Sequence, residues 1–261
     1  MAGPRPRPRT LGRPVLSAAA RATTPELTPA SMPEGEAVAG RLCLAVTSST
    51  SVVGVAVGRA GAPAAEAVAS VVATDRRHAE ELTPLVARTL ADAGLTLDQI
   101  ECFAVDVGPG RFTGLRVGLA TVRTLALAAG RPVVALSSLE ILAAAEPDRP
   151  VVAVVDARRG EVFQQRFGPD GAEGPPVVGR PEVVAPSAAG GDQSGLVVVG
   201  DGADRYPAWY GAGLRPGREP SAAVMVTLAG HHMASPGHLV APVYLRDPDV
   251  HINVTTRHSP R

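Results

Sequence analysis

The hydrophobic positions of the chain become regular at about residue 41. Three short β-branched runs, LCLAVT, VVGVAV and AVASVVA, predict a meander of three strands, because Ser, Thr, Gly or Pro residues separate them. Apolar residues then recur at helical spacing in RHAEELTPLVARTLADAG, which predicts an amphipathic helix that contains Pro84 and ends at Gly94. The run CFAVDV predicts a buried strand, followed by a second helix up to about Ala129. PVVALS and residues 139–145 predict one more strand and a short helix.

The rest of the chain reads as a shorter second version of this pattern. VVAVVDARRGEVFQQRF predicts a hairpin, LVVVGDG a third strand and residues 222–233 a helix, after which Tyr244 and Leu245 can fix the chain end onto a core. Strand-strand-strand-helix-strand-helix-strand is the order of the ribonuclease-H-like fold, the repeated unit of the actin, sugar-kinase and heat-shock ATPase group. We therefore predict an α/β protein with two ribonuclease-H-like lobes, the second abbreviated. The first spans 41–149, and the second spans 150–261 with a tail that packs back on the first.

Residues 1–40 are rich in Pro, Arg, Ala and Thr and show no hydrophobic period, which predicts a disordered extension. An organellar transit peptide and a translation start at Met32 are the alternatives that the sequence leaves open. No apolar run reaches the roughly 18 residues needed to span a bilayer, and no secretory signal is present. We expect a soluble, cytoplasmic protein that does not bind membranes.

Composition narrows the possible functions. The formal net charge is zero and aromatic residues make up 3% of the chain, so a direct reader of RNA is disfavoured. The sequence contains no lysine, which excludes Schiff-base catalysis and a P-loop. The two cysteines, Cys43 and Cys102, open predicted strands and read as buried packing residues. Ser137 and Ser138 have no suitably placed His and Asp, so we see no hydrolase triad.

The strongest local motif is VGPGRFTGLRVG, which lies at a strand-to-helix junction. Gly108 and Gly110 permit a tight turn and Thr113 can cap the helix, so the backbone N–H groups between Gly108 and Gly114 can hold an anion. The alternative is a well-made turn, because neither nucleotide-binding fingerprint fits the glycine spacing. Gly114 and Gly118 lie one helical turn apart and favour the close approach of another helix.

These motifs carry a family resemblance. HAEELTPLV, VGPGRFTGLRVG, ALSSLE, VDARRGEVF and PVYLRDPD follow the order seen in the TsaB (YeaZ) family, from about Leu42 to Asp249. The glycine-phenylalanine segment is shared with the paralogous catalytic subunit TsaD, but the His-x-x-x-His metal pair of TsaD is absent. Thr47 stands where the superfamily usually has the aspartate of A-I-D-T-S-T. For Asp156 the resemblance implies a turn fixed by hydrogen bonds.

The resemblance implies a scaffold without catalytic residues, metal ligands or a cofactor of its own. It would form a heterodimer with TsaD, joined by the ATPase TsaE and tRNA, and the complex would use ATP and threonylcarbamoyl-adenylate to make threonylcarbamoyladenosine. Two helices would form the contact, and a homodimer is possible when the chain is alone. The expected interface residues are Leu82, Leu85, Val86, Thr89, Phe112, Thr113, Leu115, Arg116, Leu119 and Arg123. The alternatives are an actin-like ATP-dependent enzyme, a glycoprotease-like peptidase and a homodimeric interaction protein.

Overall fold

The computed structural model describes residues 35–73, 78–185, 195–211 and 213–245, which all belong to one compact unit, Pro33–Arg261. Its first sheet has the strand order β4-β3-β2-β5-β6. The strands, after a two-residue β1 (Glu36–Ala37), are β2 (Leu42–Thr47), β3 (Val52–Arg59), β4 (Val68–Ala73), β5 (Cys102–Gly108) and β6 (Val133–Ser137). Strands β2, β3 and β4 form an antiparallel meander, and β5 and β6 run parallel to β2. The predicted ribonuclease-H-like order is confirmed.

Two long helices cover one face of this sheet. Helix α1 (His78–Asp92) contains Pro84, and helix α2 (Phe112–Ala129) ends at Gly130, whose left-handed φ of 62° makes it the predicted C-terminal cap. Apolar side chains of both helices join those of the sheet in one buried cluster. The free cysteines Cys43 and Cys102 lie opposite each other on β2 and β5, and both are buried as predicted.

The second sheet repeats the strand order of the first, with shorter strands at its two edges. Its order is β10-β8-β7-β11-β12, with β9 added beside β8. The strands are β7 (Val151–Arg158), β8 (Glu161–Gly168), β9 (Gly171–Ala172), β10 (Val177–Gly179), β11 (Val197–Val199) and β12 (Leu214–Arg215). The other α-helices within the described residues are α3 (Ser138–Ala143), α4 (Pro181–Val184), α5 (Asp201–Arg205), α6 (Pro207–Tyr210) and α7 (Ala222–Ala229). Because its described helices are short, the second lobe is abbreviated, as expected.

The two lobes exchange helices. Helix α3 follows the first sheet but packs on β7 of the second through Leu139 and Leu142. Helix α7 follows the second sheet but packs on β2 and β3 of the first through Met225 and Val226. Each lobe therefore packs against a helix that follows the sheet of the other lobe in the sequence.

Two segments differ from the sequence prediction. Within the expected extension, β1 pairs with β13 (Met233–Ala234), and Val38 is buried in the first lobe, because its apolar side chain fills a place beside α7. The predicted helix 222–233 ends at Ala229, and the chain then turns into β13. Residues 1–34, including Met32, lie outside the described residues, and the boundaries at residues 40 and 149 stay predictions.

The described part of the tail returns to the first lobe. Val240 is buried in the cluster beneath α1 and α2, and the Val243 backbone N–H donates to the Val107 carbonyl oxygen over 2.8 Å. Tyr244 lies against Phe112, and Leu245 packs on the core of the second lobe. The tail thus contacts both lobes.

Helix α2 is one helix among the described residues that is long and apolar enough to cross a bilayer, with a hydropathy of 1.2 over 18 residues. Length and composition alone are weak grounds for a span, because a core helix passes the same test. Here Leu115, Leu119 and Val122 of α2 are buried against the first sheet. One apolar face of α2 is thus packed on the protein's own core.

Candidate functional site

The carboxyl ends of β2 and β5 lie side by side, where open α/β sheets commonly bind ligands. Thr47 at the end of β2 and residues 48–50 of the following loop all carry hydroxyls, and the loop after β5 contains the predicted glycine turn. All four of these hydroxyl residues are buried. Buried hydroxyls need hydrogen-bond partners, so the identity of those partners shows whether the site is closed by the protein or open to a ligand.

Asp106 is the hub of these hydrogen bonds. Its carboxylate accepts from the hydroxyls of Thr47 at 2.8 Å, Ser49 at 2.5 Å and Ser138 at 2.5 Å, and from the Gly108 backbone N–H at 2.9 Å. Burial raises the pKa of the Asp106 carboxyl, and the four hydrogen bonds oppose that rise. The carboxylate therefore ties the ends of β2, β5 and β6 together, and its oxygens are occupied by protein donors.

The glycine turn is closed by the protein itself. The Gly108 N–H faces Asp106, and the Arg111 N–H donates to the Ser49 carbonyl oxygen at 2.6 Å. A Cβ atom at Gly110 would overlap the same carbonyl oxygen, so only glycine fits there. Two of the N–H groups expected to hold an anion thus have protein acceptors, which favours the alternative of a well-made turn.

Two further predictions for this motif need correction. Arg111 occupies the N-cap position of α2, no side chain caps the helix there, and Thr113 is exposed within the first turn. The Ser48 hydroxyl donates to the Gly114 carbonyl oxygen at 2.9 Å, and a Cβ atom at Gly118 would overlap the Ser48 Oγ. The small residues of α2 therefore admit the loop after β2 and not another helix.

Across from this turn, the second lobe presents Asp156 at the end of β7. The Arg158 N–H donates to the Asp156 Oδ1 at 2.9 Å, and Asp156 donates its own N–H to Asp201 at 2.9 Å. Arg158 and Arg159 follow with left-handed φ values of 66° and 57°. The carboxylate stabilises this strained turn, as the resemblance implied for Asp156.

A second group of carboxyls lies between the lobes. Glu219 hydrogen-bonds Thr50 of the first lobe and lies near Asp201 and Asp204 of the second, with Arg111 also close by. Glu219 Oε2 and Asp204 Oδ1 are buried without a hydrogen-bond partner. Burial raises the pKa of Glu219 to about 7 and also raises the pKa of Asp201. Sequence reasoning missed this group, since its members come from distant positions.

The structure divides the ten expected interface residues into two sets. Six are buried and pack within the chain itself, so their assignment to a partner surface is corrected here. Their side chains fill the space between the helices and the sheet, and the Thr89 hydroxyl donates to the Leu85 carbonyl oxygen at 2.8 Å. The buried six are Leu82, Leu85, Val86, Thr89, Leu115 and Leu119. Whether the helix pair binds a partner stays a prediction.

The other four, Phe112, Thr113, Arg116 and Arg123, are exposed on α2. The Arg116 guanidinium lies 3.9 Å from the centre of the Phe112 ring. Leu127, one turn beyond Arg123, is 84% exposed. We call Phe112, Arg116, Arg123 and Leu127 the α2 ridge. Sequence reasoning missed Leu127, although its position four residues after Arg123 places it on the same helix face.

Tyr244 extends the α2 ridge with a residue from the tail. Its ring centre lies 5.4 Å from that of Phe112, and its hydroxyl accepts from the Arg116 Nε at 3.4 Å. At the other end of the ridge, a groove of about 570 Å³ lies between α2 and Ser235–His238. An exposed leucine and an arginine-aromatic cluster are typical of protein interfaces.

Among the described residues, no three His, Cys, Asp or Glu side chains lie close enough to hold a metal ion together. Asp106 is bound by four protein donors, and Asp156 by its own turn. The two strand-end carboxylates are thus held by donors of the protein itself, whereas the α2 ridge carries exposed apolar and arginine side chains.

Comparison with known proteins finds relatives of the TsaB and TsaD types. A family model for the tRNA N6-adenosine threonylcarbamoyltransferase TsaD matches residues 68–177. The tRNA threonylcarbamoyladenosine biosynthesis protein TsaB of Escherichia coli is 33% identical over 196 residues, which cover 66% of this chain and 82% of that protein. An uncharacterized protein of Mycobacterium leprae is 37% identical over 174 residues, and the match spans 67% of this chain but 46% of that longer relative.

Solved structures agree with the sequence relatives. A Pseudomonas aeruginosa protein, described as similar to the peptidase YeaZ, superposes with a TM-score of 0.69 at 31% identity. The superposition covers 79% of this chain and all of that one. The similarity therefore extends over both lobes of the fold.

Proposed function

Because the chain belongs to the TsaB family, we propose that it is a non-catalytic subunit needed to form threonylcarbamoyladenosine in tRNA. The modified base would be the adenosine beside the anticodon of tRNAs that read codons beginning with A. The chain would bind and support a TsaD-type subunit, which transfers the threonylcarbamoyl group. The chain would contribute a buried contact surface of matching shape to the complex, and it would supply no reacting group.

The observation that carries this proposal is the hydrogen bonding of Asp106. An active strand-end carboxylate needs free oxygens for a metal ion or a reacting proton, whereas those of Asp106 accept four protein donors. The neighbouring position on β2 carries Thr47, which donates to Asp106. The strand ends thus supply rigidity, and this supports a scaffold role.

The α2 ridge is the surface that we propose for the TsaD-type partner. Leu127 and Phe112 provide exposed apolar area, and Arg116 and Arg123 can bind acidic or carbonyl groups. ATP and threonylcarbamoyl-adenylate would be used by the assembled complex, to which a TsaE-type ATPase and tRNA bind in the cytoplasm. When it is alone, the chain would pair with a second copy through the same ridge.

The test is to mix the chain with the TsaD-type subunit of the same organism. Size-exclusion chromatography with light scattering is expected to give a one-to-one heterodimer, and threonylcarbamoylation of tRNA only in the mixture. Leu127→Arg should weaken the heterodimer at least about tenfold, because it places a charge in the contact. Val183→Arg is the matched control, since Val183 is 73% exposed on the second lobe. Equal binding by both variants would remove the ridge from the interface.

The alternative is an ATP-dependent enzyme or a glycoprotease-like peptidase. It is favoured by one observation, the carboxyls of Asp201, Asp204 and Glu219 between the lobes, where an enzyme of this fold would place its reacting groups. ATP turnover or peptide cleavage by the isolated chain, lost in Glu219→Gln, would establish it. Activity that requires the TsaD-type subunit would argue for the scaffold.

A further inference from the structure

The groove of about 570 Å³ beside the α2 ridge has walls that the protein itself holds in place. We call it the α2 groove; it lies between the C-terminal half of α2 and the segment Ser235–His238. Two backbone hydrogen bonds, of 2.8 and 2.9 Å, join Ser235 to Val133 of β6. The Arg123 Nη2 donates to the His238 carbonyl oxygen at 3.2 Å. The groove is therefore formed before any partner binds, which lowers the entropic cost of binding.

The lining of the α2 groove is mostly apolar. Ala126, Pro132 and Pro236 line it, together with Leu127, which is 84% exposed. Exposed apolar surface of this kind favours association with another protein. Among the described residues that line the groove, none is Phe, Tyr or Trp, side chains on which RNA-binding proteins commonly stack bases. A protein segment thus fits the groove better than RNA does.

The charges that line the α2 groove are mainly positive. Arg123 and Arg131 both line it, and neither has a carboxylate partner among the described residues. Glu36, which also lines the groove, already pairs with Arg41 at 2.6 Å. Guanidinium groups bind carboxylates through paired N–H donors, so an acidic segment complements this lining. A second copy of the chain fits less well, because a twofold contact brings the same arginines face to face.

We infer that the α2 groove binds an acidic segment of the TsaD-type subunit. An apolar side chain of that segment packs on the groove, and its carboxylates pair with Arg123 and Arg131. The contact is continuous with the α2 ridge, since Arg123 and Leu127 belong to both surfaces. This inference rests on the proposed function and names the chemistry that the partner brings to one part of the interface.

The first test measures binding of the whole chain to the TsaD-type subunit by isothermal titration calorimetry, at about 0.05 M and about 0.3 M NaCl. The wild type should bind several-fold more weakly at the higher salt concentration, because salt screens the charge pairs. Arg123→Glu/Arg131→Glu should bind at least about tenfold more weakly than the wild type at low salt, and added salt should not weaken its binding further, because like charges now face each other. Arg215→Glu, at an exposed arginine of β12 in the second lobe, is the matched control and should follow the wild type.

Equal affinity of the double variant and the control would overturn the inference and leave the heterodimer, and so the proposed function, in place. Failure of the wild type to form a heterodimer would instead refute the proposed function. Should the double variant fail to fold, Arg131→Gln removes one charge at an exposed position and should still weaken binding about threefold at low salt. Wild-type affinity in Arg131→Gln would count against the inference in that case.

A cross-link identifies what occupies the groove. Thr124 lines it and is exposed, whereas Cys43 and Cys102 are buried, so a photoreactive group can be attached selectively to Thr124→Cys. In the complex assembled with tRNA, the cross-link should reach a segment of the TsaD-type subunit that carries carboxylates. Substitution of those carboxylates by arginine should restore the affinity of Arg123→Glu/Arg131→Glu. A cross-link to tRNA, to a second copy of the chain or to a segment without acidic residues would contradict the inference.

Discussion

At the scale of single residues, Thr47 explains how this chain departs from the superfamily motif. Its hydroxyl donates to Asp106 at 2.8 Å, so the carboxylate gains a donor where the usual aspartate would bring a second negative charge. The Thr47 hydroxyl thus fits a carboxylate whose two oxygens both accept from protein donors.

Thr47→Asp should therefore destabilise the protein. We expect a loss of at least about 2 kcal/mol in the free energy of unfolding, from one lost hydrogen bond and a buried pair of like charges. The loss should grow as the pH rises, because the paired carboxyls have raised pKa values and must then ionise. Urea unfolding at about pH 6 and about pH 8 measures it, with Thr47→Ser as the control that keeps the hydroxyl. An unfolding free energy equal to that of the wild type at both pH values would contradict this account.

At the scale of elements, α2 presents two faces with different tasks. Its buried face carries Leu115 and Leu119 against the sheet, and its exposed face carries the α2 ridge. Helical periodicity predicts that two such faces exist. It does not decide which apolar residues face the chain's own core, because a partner surface and a core surface have the same spacing.

Leu119→Ala and Leu127→Ala should separate the two faces. Leu119 is buried, so its truncation should lower the free energy of unfolding by about 2–4 kcal/mol. Leu127 is 84% exposed, and its truncation should change that free energy by less than about 0.5 kcal/mol. Chemical denaturation measures both variants. A large loss of stability in Leu127→Ala would mean that this side chain is part of the core.

For the glycine motif, too, the sequence predicts the local structure but not its contacts. The sequence predicts the tight turn between β5 and α2, and the structure contains it. The sequence leaves open whether the loop N–H groups face an anion or the protein. Ser49 decides the matter, since its carbonyl oxygen accepts from Arg111 and leaves no space for a Cβ atom at Gly110.

At the scale of the whole molecule, the exchanged helices α3 and α7 join the lobes. His232, which follows α7, donates its Nε2–H to the Glu140 Oε1 of α3 over 2.8 Å. The hydrogen bond to Glu140 is the main cause that raises the pKa of His232, and partial burial opposes it. The two exchanged helices are thus linked by an ion pair when His232 is protonated.

This ion pair predicts that the stability of the protein depends on pH. Because the pKa of His232 is raised on folding, the stability it contributes is complete below its ordinary pKa of 6.5 and is lost as the pH rises through the higher folded value. His232→Gln should reduce the gain in melting temperature between about pH 8 and about pH 6. His231→Gln, at the exposed neighbouring histidine, is the control. An unchanged gain in His232→Gln would exclude the ion pair as its source.

The sequence alone determined the strand order, the two long helices, the cap at Gly130 and the family, because these follow from local periodicity, turn chemistry and ordered motifs. Tertiary structure decided what each side chain contacts. The Asp106 carboxylate accepts from hydroxyls of two separate segments, six expected interface residues belong to the core, and Glu219 lies near Asp201 and Asp204 only because the lobes join there. Such contacts join residues far apart in the chain, and periodicity records the face of an element but not what covers it.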